Sequence, residues 1–395
     1  MNVLCVLEKG SWAESHLAGS IRALGHEVTV FHHGSGVGEF YGRSRRQVRA
    51  EKNQALLRQA RALRAGTGLD LIFCYVYDDF LEEETARGLA RLDVPLVNYN
   101  VDMATQWYRQ SRTARYFTMM LCAQRVNMSR LARYNRRVLH FPMAAKPISS
   151  PAEARQAAPP DAPVTFVGTP RTYRTRLLGQ LHSSGIPLAI YGKYWLERRE
   201  PSRPATLEKI LHDILLYGVP KWQAEGFDGM LRALQRHRSL SRPPIASPLP
   251  ARLFKGFVPE EELNSLFAQS EINLGFSRIA GDDPATPGVT QVKLRDFEVP
   301  LAGGFYLVEW VKEYDEFFNA GVEVETWRTR EELIDKLRYY LSHDAERRRI
   351  ALAGSKRAVA EHTWDKRFAM LFAELGLKAT PHVHASSQQT LSDPS

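Results

Sequence analysis

Residues 164–192 read VTFVGTPRTYRTRLLGQLHSSGIPLAIYG, and the order of residue types in this stretch decides the fold. An apolar run from Val164 ends at Gly168, a loop carrying Arg171, Arg174 and Arg176 leads straight into a helical pattern reaching Leu181, and a second apolar run spans Leu188 to Gly192. Strand, basic loop, helix and strand within about 30 residues form the opening unit of a parallel, doubly wound sheet.

Working outward, the amino terminus repeats that grammar. Val3 to Leu7 is an apolar run; Glu8, Lys9, Gly10 and Ser11 follow; Leu17, Ile21 and Leu24 carry helical spacing; and Val28 to Phe31 is a second strand. The alternation continues through a long amphipathic helix at 45–65, strand Leu69 to Tyr77, helix Asp79 to Leu92 and strand Val94 to Tyr99. Two Rossmann-like domains facing a cleft are therefore expected, with the first over 1–147. Residues 148–163, rich in Pro, Ala and Ser, read as a linker. The second domain is expected over 164–376, interrupted at 196–250 by an insertion whose role the sequence does not reveal. Residues 377–395 are polar and aperiodic, which predicts a disordered tail. Two long closing helices are expected at about 330–342 and 344–375.

The totals agree with such a molecule. A chain of 395 residues exceeds what one core usually organises, and 44% hydrophobic with 25% charged residues is the mixture of a globular protein. The net charge of +9 suits an anionic partner without choosing among nucleic acid, a membrane surface and a phosphorylated substrate. Three cysteines, Cys5, Cys74 and Cys122, without ligand spacing fit a reduced, cytoplasmic setting. The start MNVLCVLEKG lacks the features of a signal peptide, and no apolar run reaches about 18 residues, so no transmembrane segment is expected. Peripheral contact with a membrane is left open.

In doubly wound domains ligands meet the loops after the strands, so candidate residues are sought there. Three guanidinium groups at Arg171, Arg174 and Arg176 stand where a helix begins, a position suited to a diphosphate and equally to a solvated helix start. Residues 290–309, TQVKLRDFEVPLAGGFYLVE, crowd Lys293, Arg295, Asp296 and Glu298 ahead of Gly303 and Gly304. A carboxylate there suits a pair of ribose hydroxyls; an exposed charged face is the plainer reading. Asp102 in YNVDM closes a strand, where it fits either a substrate or a helix cap. Lys9, Gly10 and Ser11 would line the cleft from the acceptor side. His16 and His362 read as structural.

Several ordered stretches carry a resemblance: FVGTPRTYRTRLLGQL, LAIYGKYW, KGFVPEEELNSLFAQSEINLGFS, TQVKLRDFEVPLAGGFYLVE, and the run from EELIDKL to EHTWDKR. Together they cover most of 164–368, with YNVDM and FPMAAKP adding a weaker match earlier. The chain resembles the CgeB-like group of glycosyltransferases, allied to the large retaining family called group 1. The resemblance implies a GT-B fold of hexosyltransferase type. A nucleotide-diphosphate sugar would be held by the second domain through Gly168, Arg174, Arg176, Lys293 and the loop Lys255, Gly256, Phe257 and Val258. Glu298 falls on the second Glu of the family's donor signature, where it would hold ribose hydroxyls; Thr290 stands where the first Glu belongs. Asp102 and Lys293 are the candidate catalytic residues.

Sugar transfer needs positive charge on the departing diphosphate, and with no Asp-x-Asp motif or His/Cys ligand spacing that charge is expected from Lys and Arg rather than a metal or cofactor. Retention is inherited from the resemblance. A nucleotide-sugar epimerase or hydrolase and a non-catalytic nucleotide-sugar-binding protein remain as rivals on the same fold. Nucleic-acid binding has only the net charge behind it. The acceptor, whether glycan, protein or small molecule, is not legible.

Overall fold

Runs of β-branched and aliphatic residues with no polar alternation, such as Val3–Leu7 and Leu71–Cys74, can only be buried on both faces, which is the condition of a strand inside a parallel sheet covered by helices. A computed structural model describes residues 1–34, 43–101, 107–148, 160, 162–196, 207, 210, 211, 214–240, 249–280 and 288–377. Its first sheet contains β1 (Asn2–Leu7), β2 (Glu27–His32), β3 (Leu71–Cys74), β4 (Leu96–Asn100), β5 (Met119–Cys122) and β6 (Val138–His140), all parallel, in the order β2-β1-β3-β4-β5-β6.

The second sheet contains β7 (Val164–Val167), β8 (Leu188–Tyr191) and β9 (Ile272–Gly275). Next along the chain come β10 (Arg278–Ala280) and β11 (Val289–Thr290), a separate antiparallel pair, and the sheet is completed by β12 (Tyr306–Glu309) and β13 (Glu325–Trp327). Its order is β13-β12-β9-β7-β8, again parallel. Each sheet reverses its winding once, between β1 and β3 and between β7 and β9. The crevices at the carboxyl ends of those pairs are where such folds take ligands.

Local departures from the sequence reading have physical causes. The run Leu253 to Phe257 forms only a single parallel bridge, Ile190 to Phe254, before Gly256 turns the chain with φ +88°. The helix expected over 344–375 is two helices, Asp344–Glu361 and Trp364–Glu374, separated by the extended residue Thr363. That break lets the chain cross back. Ala145 donates to the carbonyl of His362 at 3.0 Å and accepts from Trp364 N–H at 3.0 Å, so the outgoing and returning segments pair.

The last helix therefore corrects the expected domain assignment of 164–376. Trp364, Phe368, Leu371 and Phe372 are buried against Leu7, Leu17, Ile21, Phe73, Tyr99 and Phe141 of the first domain, not against the second. Each of these aromatics removes enough apolar surface from water to contribute on the order of 2 kcal/mol. The first domain is thus built from two distant stretches of chain.

Of the expected linker, 149–159 and 161 lie outside the described residues, as does the tail from 378. The expected insertion contains the helix Val219–Leu240, interrupted at Gly226 (φ +73°). Lys221 on that helix lies 5.4 and 5.3 Å from the ring centroids of Trp107 and Tyr108, so the insertion rests on the first domain. Among the described residues no helix is long and apolar enough to cross a membrane.

Candidate functional site

The carboxyl edge of the first sheet faces the second domain through two sets of contacts. After β1, the chain turns through Lys9, whose N–H donates to Gly34 at 2.7 Å, and Gly10 at φ +67°, while the Ser11 hydroxyl donates to Glu8 O at 2.9 Å. These three residues sit at the strand end as expected, but the Ser11 hydroxyl is turned to its own backbone. Ser15 and His16, in the π-helical turn Glu14–Ala18, are the residues that cross. Ser15 Oγ donates to Glu260 at 2.7 Å. After β5, Arg125 pairs with Glu316 at 2.7 Å, and Val126 N–H donates to Glu313 at 2.8 Å.

Glu260 opens the helix Glu260–Gln269, whose three leading glutamates complement the positive end of its dipole. It also accepts from Lys146 Nζ at 2.9 Å. Glu298 lies on the short helix Arg295–Leu301 and is 7% exposed. One carboxylate oxygen is in contact with the Arg295 guanidinium, and the other stands 3.6 Å from His16 Nε2. Ser15, His16, Lys146, Asn264, Glu260 and Glu298 line an open interdomain cleft of about 440 Å³. Glu298 thus borders this cleft.

A second, smaller hollow of about 50 Å³ lies at the β7/β9 crevice, lined by Val167, Arg174, Gly275, Lys293, Arg295 and Tyr306 among others. Gly168 ends β7 here. Its N–H donates to Tyr191 O at 2.9 Å and its carbonyl accepts from Trp195 Nε1 at 2.7 Å. Arg174 donates from one terminal nitrogen to Thr169 O at 3.1 Å, while its buried Nε–H has no partner among the described residues. Burial, with Arg171 nearby, pushes its pKa down to about 10.

Lys293 is half-buried, with Nζ donating to the carbonyls of Phe276 and Arg278. Burial first and the Arg174 charge second lower its pKa, against the pull of Asp296 and Glu309. Asp296, in the first turn of its helix, accepts from Lys293 N–H and Tyr306 Oη–H, each at 2.7 Å, and its pKa is raised by burial. Glu309, at the end of β12, collects Ser277 N–H at 3.0 Å, Arg278 N–H at 2.9 Å and Tyr173 Oη–H at 3.0 Å.

Not all the sequence candidates converge. Arg174 and Arg176 do not share a site, because two residues along a helix turn a side chain through about 200°. Arg176 instead lines a separate hollow with Tyr173, Gln180, Arg278, Trp327 and Arg328. In the loop after residue 254, Lys255 N–H donates to Ile190 at 2.9 Å and Gly256 O accepts from Gly192 at 2.8 Å. Phe257 presents its ring 58% exposed with Lys193 Nζ 4.3 Å from its centre, and Val258 packs inward. Thr290 stands opposite Arg278 in the β10–β11 pair. Asp102 lies outside the described residues.

The sequence reading missed Ser15, His16, Lys146, Glu260 and Glu309. Lys146 lay within the quoted FPMAAKP run; a lone His on an apolar helical face gave no signal. Among the described residues no cluster of three or more His, Cys, Asp or Glu is placed to hold a metal ion. The three cysteines are buried and free, with burial raising the Cys5 and Cys122 thiols to about 12.

Comparison with known proteins follows from this geometry. A family model described as glycosyl transferase-like matches residues 171–373. A sucrose-phosphate synthase from Thermosynechococcus elongatus is similar in structure at TM-score 0.56 and 12% identity, over 95% of this chain and 99% of that one. HepE of Anabaena, solved in complex with UDP and glucose, is similar at TM-score 0.55 and 12% identity, over 95% and 99%. A glycosyltransferase from Rickettsia africae matches at TM-score 0.53 and 8% identity, over 94% and 97%. No curated protein matches the sequence. At such identities the likeness speaks for the fold, which is GT-B: two Rossmann-like domains facing a central cleft.

Proposed function

The chain belongs to the glycosyl transferase-like family, and from that premise we propose that it moves a hexosyl group from a nucleotide-diphosphate sugar to an acceptor, with retention and without a metal. The ordered stretches quoted above favour a CgeB-like placement within the wider group. The observation that carries the donor reading is Arg174, a cation at the β7/β9 crevice whose buried Nε–H lacks a partner among the described residues. Lys293 lines the same hollow, and each is short of the negative charge a diphosphate brings.

In this reading the bond between the anomeric carbon and the diphosphate oxygen breaks, a bond to the acceptor oxygen forms, and the acceptor's proton passes to the departing diphosphate. Arg174 and Lys293 stabilise the charge that grows on the departing diphosphate, in a site where burial strengthens their effect. Glu298 accepts from the ribose hydroxyls, and the exposed Phe257 ring lies against the base. Nucleotide sugars in general are the donors proposed; HepE, solved with UDP, makes UDP the first to try.

Thermal stability measured against UDP, GDP, dTDP, CDP and ADP tests the donor site. One selective stabilisation, lost in Arg174→Ala and Lys293→Met, is expected. A protein indifferent to all five nucleotides sinks the proposal.

A further inference from the structure

His16 is 3% exposed and comes from the first domain, yet its polar partners are spread over both. The indole Nε1–H of Trp364 donates to its Nδ1 at 3.2 Å. An indole nitrogen has no acceptor capacity, so Nδ1 carries no proton and the single imidazole hydrogen sits on Nε2. Nε2 in turn lies 3.4 Å from Glu260 Oε1 and 3.6 Å from Glu298 Oε1.

The charged groups facing this ring are Glu298 and Arg295 from one helix, Glu260 from a second, and Lys146 from the crossing segment. Burial lowers its pKa, outweighing the two carboxylates. Protonating Nδ1 would also set two N–H groups head to head with Trp364. The ring is therefore a neutral, single-proton donor, and its Nε2–H stands beside both carboxylates without a formed hydrogen bond to either. Of these two, Glu260 already takes Ser15 Oγ and Lys146 Nζ, whereas the Glu298 oxygen that faces His16 is not the one touching Arg295.

We propose that His16 is a positioning residue for the donor site: when the donor binds, its Nε2–H closes the 3.6 Å gap to Glu298 Oε1, and through that bond the first domain fixes the orientation in which Glu298 of the second domain receives the paired hydroxyls of the donor ribose. A carboxylate has about four acceptor directions. With Arg295 and His16 each taking one, the remaining lone pairs are left for two vicinal hydroxyls. The donor site is then complete only when both domains contribute to it. This inference rests on the nucleotide-sugar reading of the preceding subsection, with Glu298 as its ribose residue.

The test compares binding of UDP with 2′-deoxy-UDP, and of GDP, ADP and CDP with their 2′-deoxy forms, by calorimetry below the unfolding range. The wild type is expected to favour the ribonucleotide, and Glu298→Ala to lose that preference. His16→Leu should reduce the preference roughly tenfold, the loss expected for one hydrogen bond to a charged group. His16→Gln should keep it, because its amide donates to Glu298 and accepts from Trp364 as the neutral imidazole does. A purely structural His16 would lower stability without changing the ratio.

A His16→Leu variant with the wild-type ratio overturns the inference while leaving the transferase reading intact, and so does a Glu298→Ala variant that still discriminates. A wild type that binds none of the nucleotides overturns both. Should His16→Leu fail to fold, His16→Asn replaces it. Its shorter amide cannot span Trp364 and Glu298, so its ratio must fall below that of His16→Gln for the inference to stand.

Discussion

Acid should loosen this protein through His362, the residue at which the chain crosses back to the first domain. The ring is 4% exposed, its Nε2–H donates to Phe317 O at 2.8 Å, and its Nδ1 accepts from Arg367 at 3.2 Å. Both nitrogens are thus committed in the neutral form. Burial, reinforced by Arg367 and Arg357, lowers its pKa from 6.5 to about 4. A depressed value means that the unfolded chain binds the proton first, so stability is complete above about pH 6.5 and falls as the pH drops toward 4. A difference of about 2.5 units corresponds to about 3.4 kcal/mol in full, of which about 2 kcal/mol is lost by pH 5. The variant His362→Gln keeps a donor and an acceptor but does not titrate. Urea unfolding of both proteins at pH 7.5 and pH 5 isolates the effect, because other titrating groups, including the similarly depressed His140, cancel in the double difference. The wild type should lose about 2 kcal/mol more than the variant on acidification. Equal losses in the two proteins would refute the argument.

Other expectations follow from the same contacts. Gly192 has φ +140°, and a Cβ there would lie 2.2 Å from the carbonyl oxygen of Gly168, so Gly192→Ala should cost more than about 2 kcal/mol in chemical denaturation and weaken nucleotide binding at the β7 crevice. Trp364→Ala removes a fully buried indole from the first-domain core and should cost about 3–5 kcal/mol, read as a lowered unfolding midpoint. Arg125→Ala breaks an exposed pair with Glu316 and should change stability by less than about 1 kcal/mol, measured in the same way. Transfer assayed with EDTA should match transfer with added Mg²⁺, since Arg174 and Lys293 are proposed to supply the positive charge; a large loss would overturn the metal-free proposal.

Much of the fold was legible because buried parallel strands leave unmistakable apolar runs. VTFV and LAIY each proved to be a strand, within a residue or two of the ends read from sequence. The apolar run Leu253 to Phe257 makes no strand, because the left-handed Gly256 limits it to a single bridge. The returning helix was not legible, because nothing in the spacing of Trp364, Phe368, Leu371 and Phe372 says which domain supplies the opposing surface. Helical geometry would have separated Arg174 from Arg176, since residues two apart face away from one another. His16 was hidden by its apolar neighbours Leu17 and Ala18, and only the folded chain brings it to Glu260 and Glu298. The helix Val219–Leu240 showed its docking on Trp107 and Tyr108 only in three dimensions, for the same reason.

The paired crossing of residues 145 and 362–364 constrains how such a molecule can be recombined. A chimera that exchanged the first domain at one junction near residue 147 would bring in a foreign sheet while keeping the native closing helix, whose Trp364, Phe368, Leu371 and Phe372 pack against a different apolar face. Two junctions are required, one on each crossing strand, so that a grafted first domain arrives with its own closing helix. The two domains in this architecture are exchangeable only as a nested cassette, with the second domain as the insert and the first as its frame.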